Sequence, residues 1–331
     1  MFEVEMRPGP LGLKGGEPFP EVRDEMERIE KGRRIMRPSL MRWIPNRLIV
    51  RLMRKMMGFP NKDISKGRVK TRALSIPGPG GEIPVRLYLP EGTNLPILLY
   101  FHGGGWVGGS VDVVENIGRG LADRAGHIVI NVDYRLAPEH RFPAGLEDCY
   151  AAVEWAARHG AEFGGDPTRI SVAGDSAGGN FATVCCLLAH ERSGPALSHQ
   201  VLIYPGVDLS GRHDEELGPQ EGADGMDLGG FLASVYVERP ELLADPRCSP
   251  WLAEDVSFMP PALVLTAEYC FIRDQGESYA RKLSAAGVPT RAIRYNGVNH
   301  AFLDKVGVWP YADACIEDIA EVLCLPTSPL A

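Results

Sequence analysis

The sequence predicts an α/β fold, a mostly parallel β-sheet with helices on both faces, and three observations carry that reading. From residue 95 onward, short apolar runs of strand length alternate with longer stretches of helical periodicity. Leu95-Pro96-Ile97-Leu98-Leu99-Tyr100-Phe101 is apolar without interruption, as expected of a strand covered on both sides. Ile170-Ser171-Val172-Ala173 runs into Gly174-Asp175-Ser176-Ala177-Gly178 and on into Phe181-Ala182-Thr183-Val184-Cys185-Cys186-Leu187-Leu188, which reads as a strand, a tight turn and a helix. The turn fits G-x-S-x-G, where small flanking residues let the chain take a strained bend that holds a serine oxygen clear of the backbone. Ser176 is therefore the candidate nucleophile. A serine hydroxyl is a weak nucleophile at neutral pH, so this reading requires a histidine to take its proton and backbone N–H groups to receive an oxyanion.

The elements follow in order. Residues 1 to about 20, rich in Gly and Pro, read as a loose arm lying on the surface. Over 21–57 the pattern turns helical, with Val22, Met26, Ile29, Leu48, Ile49, Leu52, Met53 and Met56 at helical spacing and Pro38 and Pro45 interrupting, so two or more short helices are expected. The same stretch concentrates Lys31, Arg33, Arg34, Arg37, Arg42, Arg47, Arg51, Arg54 and Lys55. Such a segment lies either on a membrane or on the main domain as a lid with its basic face in water. The prolines, which break any long interfacial helix, favour the lid. Strands are expected at 68–75 and 83–88 around the turn Pro77-Gly78-Pro79-Gly80-Gly81, then at 95–101, 127–132, 170–173, 200–204, 262–266 and 290–295. Helices are expected at 144–158, after Ser176, at about 275–286 and at 309–323. Between Asp208 and Asp255 the alternation lapses into a segment of acids, glycines and prolines, read as an insertion that joins the N-terminal helices in a cap over the sheet's C-terminal edge. The division is thus 1–70 for the arm and cap helices, 71–207 and 256–331 for the core, and 208–255 for the cap insertion.

With 44% hydrophobic and 24% charged residues, the 331-residue chain has the make-up of a soluble globular protein large enough for a sizeable core. A net charge of −8 argues against a general nucleic-acid binder. No uncharged run reaches membrane-spanning length and the first residues lack the pattern of a secretory signal, so a cytoplasmic location without stable membrane insertion is expected. Seven cysteines, irregularly spaced and without a C-x-x-C pair, read as free thiols rather than a disulfide framework or a zinc site. Assembly is left open between a single chain and a homodimer.

Directly after the 95–101 strand comes His102-Gly103-Gly104-Gly105-Trp106. Three glycines after a buried strand let backbone amides approach a substrate oxygen closely. Paired with the serine turn downstream, they point to an oxyanion cradle. At this point the chain resembles the bacterial hormone-sensitive-lipase-like esterases of the α/β-hydrolase superfamily, over about residues 71–323. The resemblance rests on the motifs already quoted, on Asp133-Tyr134-Arg135-Leu136-Ala137-Pro138-Glu139-His140, on Gly179-Asn180, on Leu202-Ile203-Tyr204-Pro205 and on Gly297-Val298-Asn299-His300-Ala301-Phe302. It implies an α/β-hydrolase fold with a helical cap. It also implies a carboxylic-ester hydrolase that forms an acyl-enzyme on Ser176 from small esters of short to medium acyl chain, with no metal and no organic cofactor. The amides of Gly104, Gly105 and Ala177 would bind the oxyanion, His300 would act as base and then acid, and His102 would shape the oxyanion loop. His140, His159, His190, His199 and His213 stand in turn, helix-end or polar contexts and are set aside as the base.

The chain departs from the family at one position. Where such esterases carry the triad aspartate, after the penultimate strand, this sequence reads Ala267-Glu268-Tyr269-Cys270-Phe271-Ile272-Arg273-Asp274, which puts Cys270 in the acid's place. Three carboxylates are candidate substitutes: Glu268, Asp274 and Asp208. Asp274-Gln275-Gly276-Glu277 also reads as a helix-capping box and Glu268 as structural, so the absence of any substitute ranks above each of them. A thiolate–imidazolium pair between Cys270 and His300 ranks below an inert thiol. The sequence leaves two further functions open: an impaired hydrolase fold used to bind a ligand, and a specialised acyl transferase or lyase.

Overall fold

The computed structural model describes residues 2–8, 17–35, 45–58, 62–217 and 228–324. A nine-stranded sheet runs through the chain in the order β1-β9-β8-β7-β6-β4-β5-β3-β2. Its N-terminal half comprises β1 (Glu5–Arg7), β2 (Lys70–Gly78), β3 (Gly81–Leu89), β4 (Leu95–Phe101) and β5 (Ile128–Val132). The second half comprises β6 (Gly165–Asp175), β7 (Gln200–Ile203), β8 (Ala262–Tyr269) and β9 (Thr290–Asn299). The β2–β3 and β3–β5 pairs are antiparallel and every other pairing is parallel. The helices are α1 (Pro20–Ile35), α2 (Asn46–Met56), α3 (Glu115–Ala125), α4 (Ala144–His159), α5 (Ala177–Glu191), α6 (Arg212–Leu217), α7 (Leu228–Tyr236), α8 (Arg273–Ala285) and α9 (Pro310–Leu323).

The uninterrupted apolar character of β4 follows from its place between β5 and β6. Its side chains alternate between two cores: Ile97, Leu99 and Phe101 enter one with α4 and α5, while Leu98 and Tyr100 enter the other with α3 and α9. A strand with no solvent face has no position for a polar residue except where a partner waits. Each such Leu or Ile contributes about 1.5–3 kcal/mol by leaving water.

The structure corrects the sequence reading in two places. The first residues are not a loose arm throughout: Glu5–Arg7 forms β1 against β9, fastened by Glu5 to Arg291 and Arg7 to Asp318, and Phe19 is buried against Tyr311 with ring centroids 4.3 Å apart. Helix α3 was not foreseen, because Gly118 and Gly120 depress helix propensity at its centre. Their reason is packing: a methyl on Gly118 would lie 2.5 Å from the Tyr88 ring, and one on Gly120 would press on Ile64 at 3.0 Å. The 208–255 stretch, where the alternation of strands and helices lapses, contains α6, α7 and two short 3₁₀ turns, while 218–227 lie outside the described residues.

Five segments that bear on chemistry leave the carboxyl ends of adjacent strands. They are 102–106 after β4, Ser176 after β6, Tyr204-Pro205 after β7, Cys270 after β8 and His300 after β9. In open parallel sheets this edge is where helix N-termini and loops converge and where ligands bind. The turn after β6 sits so close to β4 that a methyl on Gly178 would lie 1.8 Å from the Phe101 carbonyl oxygen, and one on Gly174 would lie 2.3 Å from Gly178. The clash is with backbone, which has no rotamer escape. Gly178→Ala is therefore expected to lower stability by about 2 kcal/mol or more, read as a shifted midpoint in denaturant unfolding.

Candidate active site

Ser176 stands at φ 54°, ψ −115°, a region that non-glycine residues rarely enter. Hydrogen bonds on both sides hold it there. Its N–H donates to the Ile203 carbonyl at 2.8 Å, and its own carbonyl accepts from the Asn180 and Gly206 amides at 3.1 and 3.2 Å. The Asn180 amide group in turn donates to the carbonyls of Gly206 and Cys248, at 2.8 Å each, which fixes the loop that follows β7. The strain at the serine is thus carried by the strands beside it, and Oγ is directed off the sheet edge.

His300 closes the line. Its Nε2 lies 3.0 Å from Ser176 Oγ, and its Nδ1 lies 3.0 Å from Cys270 Sγ. Both ring nitrogens are therefore engaged, one by the hydroxyl and one by the thiol. Tyr204 and Phe271 flank the ring with centroids 4.8 Å away. Burial pushes the His300 imidazole down to about 4 and the Cys270 thiol up to about 12, so both are neutral near pH 7.

The three candidate carboxylates serve other groups. Glu268 Oε2 accepts the Gly297 amide at 2.7 Å, which pins the end of β9. Asp208 accepts from the amides of Ser210 and His213 at 2.8 and 2.7 Å and from the Ser210 hydroxyl. Asp274 pairs with Arg273 at 2.7 Å and does not cap its helix: Ile272 is the N-cap, without a side-chain cap bond, and Glu277 binds Arg294 and Thr266 instead. The capping-box reading fails because the buried Glu277 is claimed by Arg294.

The glycine loop lies beside the serine. Gly104 and Gly105 take φ values of 127° and 61°, and side chains there would strike the Gly108 carbonyl and Leu232. Among the described residues the N–H groups of Gly104, Gly105 and Ala177 donate to no protein acceptor. Ala177 opens α5, so its amide also carries the positive end of that helix. His102 holds the loop from beneath: Nδ1–H donates to the Gly103 carbonyl at 2.8 Å, the ring stacks on Tyr134 at 4.2 Å, and the Tyr134 hydroxyl donates to the His102 carbonyl at 2.6 Å.

Sequence reasoning gave no role to Asp175, Tyr134 or Arg54. Asp175 Oδ1 accepts from the Gly103 amide at 2.9 Å and from the Tyr100 hydroxyl at 2.8 Å, so the residue next to Ser176 anchors the glycine loop. Burial raises this carboxyl to about 6, opposed by the same two hydrogen bonds. From α2, Arg54 donates to the carbonyls of Val107 and Ala137 at 2.5 and 2.9 Å and pairs with Glu139. Asp175 stands inside the G-x-S-x-G turn and Tyr134 inside the 133–140 motif, and a strand-end acid beside glycines is the available signal for the first; Arg54 is one of many basic residues between 31 and 55.

A serine, an imidazole and free amides converging at the carboxyl edge of a parallel sheet define a hydrolase of the α/β type. A family model described as the α/β-hydrolase fold matches residues 98–304. The chain belongs to that superfamily, in its hormone-sensitive-lipase-like branch. It is 42% identical over 248 residues to the carboxylic ester hydrolase LipN of Mycobacterium tuberculosis, the match covering 70% of this chain and 64% of LipN. It is 38% identical over 271 residues to the carboxylesterase NlhH of the same organism, covering 80% and 84% of the two chains. Among solved structures, the Pyrobaculum calidifontis esterase in its monoclinic form superposes with a TM-score of 0.75 at 36% identity, over 87% of this chain and 98% of that one. The chain spans about two thirds of LipN's length.

Two outcomes are expected from this geometry. Asp175→Ala removes the acceptor of a buried amide and should lower kcat by roughly 10²-fold through a displaced oxyanion loop, measured on a soluble chromogenic ester. A base must be neutral to accept a proton, so kcat/KM should hold as pH falls and drop only towards about 4, the value to which burial brings His300. Protonation of Asp175 on Oδ2 leaves Oδ1 accepting, so it adds no second limb to the pH profile.

Proposed function

We propose that this chain hydrolyses carboxylic esters through an acyl-enzyme on Ser176, with His300 as general base and Cys270 standing where related enzymes keep an acid. The observation that carries the reading is the 3.0 Å contact between His300 Nε2 and Ser176 Oγ. The names of the relatives, carboxylic ester hydrolase and carboxylesterase, support the same class.

In the first step His300 Nε2 takes the hydroxyl proton as Oγ attacks the ester carbonyl. The developing oxyanion accepts from the Gly104, Gly105 and Ala177 amides, and the imidazolium then protonates the leaving alcohol. Water repeats the sequence on the acyl-enzyme. Trp106 and Ile272 beside Gly206, and Leu232 beside Gly105, supply apolar walls suited to short or medium acyl chains. Helix α2 with α7 and the other described residues of 208–255 form the cap in this reading, supported by the Arg54 contacts and by Trp106 stacked on Tyr236 at 4.8 Å.

The thiol sets the rate. An aspartate accepts Nδ1–H, fixing the tautomer whose Nε2 is free to act as base, and offsets the imidazolium charge. A neutral thiol does neither well: it is a weak acceptor, and when S–H donates to Nδ1 the proton of the imidazole sits on Nε2, the wrong nitrogen. A tautomer error of this kind costs on the order of 10⁴ in turnover while leaving catalysis above water. Native turnover is therefore low, and the ligand-binding and acyl-transfer readings are tested by the same variants.

Hydrolysis of p-nitrophenyl acetate and butyrate should be measurable and should vanish in Ser176→Ala. In Cys270→Asp, kcat should rise by roughly 10²- to 10⁴-fold, and the acid limb of the pH profile should move upward because a carboxylate stabilises imidazolium. Turnover unaffected by Ser176→Ala would overturn the mechanism. A flat response to Cys270→Asp would show that another carboxylate serves His300.

A further inference from the structure

Helix α2 carries a surface that neither the fold nor the site uses. Val50 is buried and Met53 packs on the core, while Arg54 reaches inward to the oxyanion loop. The rest of the helix faces water with two adjoining stripes. Leu48, Leu52 and Met56, spaced four residues apart on one side, are 57, 53 and 70% exposed. Arg47, Arg51 and Lys55, spaced the same way on the next side, are exposed, and among the described residues none of them pairs with a carboxylate. Met6 and Val308 are the other large apolar side chains exposed among the described residues, so three of the five fall on this one helix.

An amphipathic helix normally turns its apolar side inward. Here the apolar arc is wider than the buried contact, and its free part adjoins the basic stripe in a chain of net charge −8. A polyanion such as a nucleic acid would pair with the basic stripe and leave the apolar one in water. A lipid surface with anionic headgroups takes both, burying Leu and Met at the headgroup–acyl boundary and pairing Arg and Lys with phosphate.

We propose that the exposed face of α2 is a docking surface for anionic lipid membranes. Attachment is peripheral, since no described helix is long and apolar enough to cross a membrane. It needs no refolding, because Arg54 fixes α2 to Val107, Ala137 and Glu139. The same bonds put the docked lipid beside the oxyanion loop. The sequence reading of a lid with only its basic side in water is thereby extended: the structure leaves an apolar stripe in water too. The proposal stands apart from the ester-hydrolase reading, because a protein lacking the serine hydroxyl would dock equally well.

The test is co-sedimentation of the full chain, and of Ser176→Ala, with vesicles of phosphatidylcholine alone or with roughly one-third phosphatidylglycerol. Both proteins should pellet with the anionic vesicles and little with the neutral ones, and binding should fall as salt is raised. A triple Arg47→Glu, Arg51→Glu, Lys55→Glu variant and a triple Leu48→Ser, Leu52→Ser, Met56→Ser variant should each lose about tenfold or more in bound fraction, with thermal midpoints near that of the native chain. Absence of binding, equal binding to neutral vesicles, or a loss confined to the charge variant would overturn the proposal. So would a self-associated native chain that the serine variant renders monomeric without any vesicle binding, which would assign the stripe to a second copy of the chain. The salt dependence of the native protein stands as a check that requires no variant to fold.

Discussion

The site depends on one backbone approach that only a hydrogen atom permits. Gly178 passes so near the Phe101 carbonyl that the serine turn after β6 and the glycine loop after β4 become a single piece of structure. Asp175 ties the same two segments through the Gly103 amide. Hydrogen bonds from the neighbouring β7 loop hold the strained serine in place. The distances between hydroxyl, amides and imidazole are therefore a property of the sheet, set by strand spacing rather than by flexible side chains.

The electrostatics of the site follow from burial. His300 is enclosed by Tyr204, Phe271 and Cys270, so charging it lacks solvent support and the neutral ring prevails. An ionic partner would offset that penalty, and the nearby carboxylates are committed to Gly297, to Arg273 and to the 208–213 loop. A thiol placed there fills the volume without supplying the charge. The site thus keeps a line of hydroxyl, imidazole and thiol in which no charged group meets the ring.

Much of this was legible in the residues. The uninterrupted 95–101 run, the glycines at 103–105 and the serine turn each have a local physical cause, and each appears where its element forms. What escaped was decided by partners distant in sequence. Gly118 and Gly120 lower helix propensity at the centre of α3, and their reason is Tyr88, Ile64 and Ile316 packed against them. Asp274 and Glu277 read as a cap until Arg294, on the next strand, claims the glutamate. Asp175 has no role legible between glycine and serine, and gains one only where the fold sets it under Gly103. Local pattern names the elements, while the roles of polar side chains inside them depend on contacts that span tens of residues.

The three-residue strand at the N-terminus has a practical consequence. By lining up beside β9, Glu5–Arg7 saturates the outer rim of the strand that delivers His300. A fusion or purification handle at that end thus adjoins the strand covering β9, at the end of β9 away from His300, and trimming the leading residues would bare amide and carbonyl groups of β9 for pairing with another molecule. Recombinant work on this chain gains from placing such additions at the opposite terminus, beyond α9.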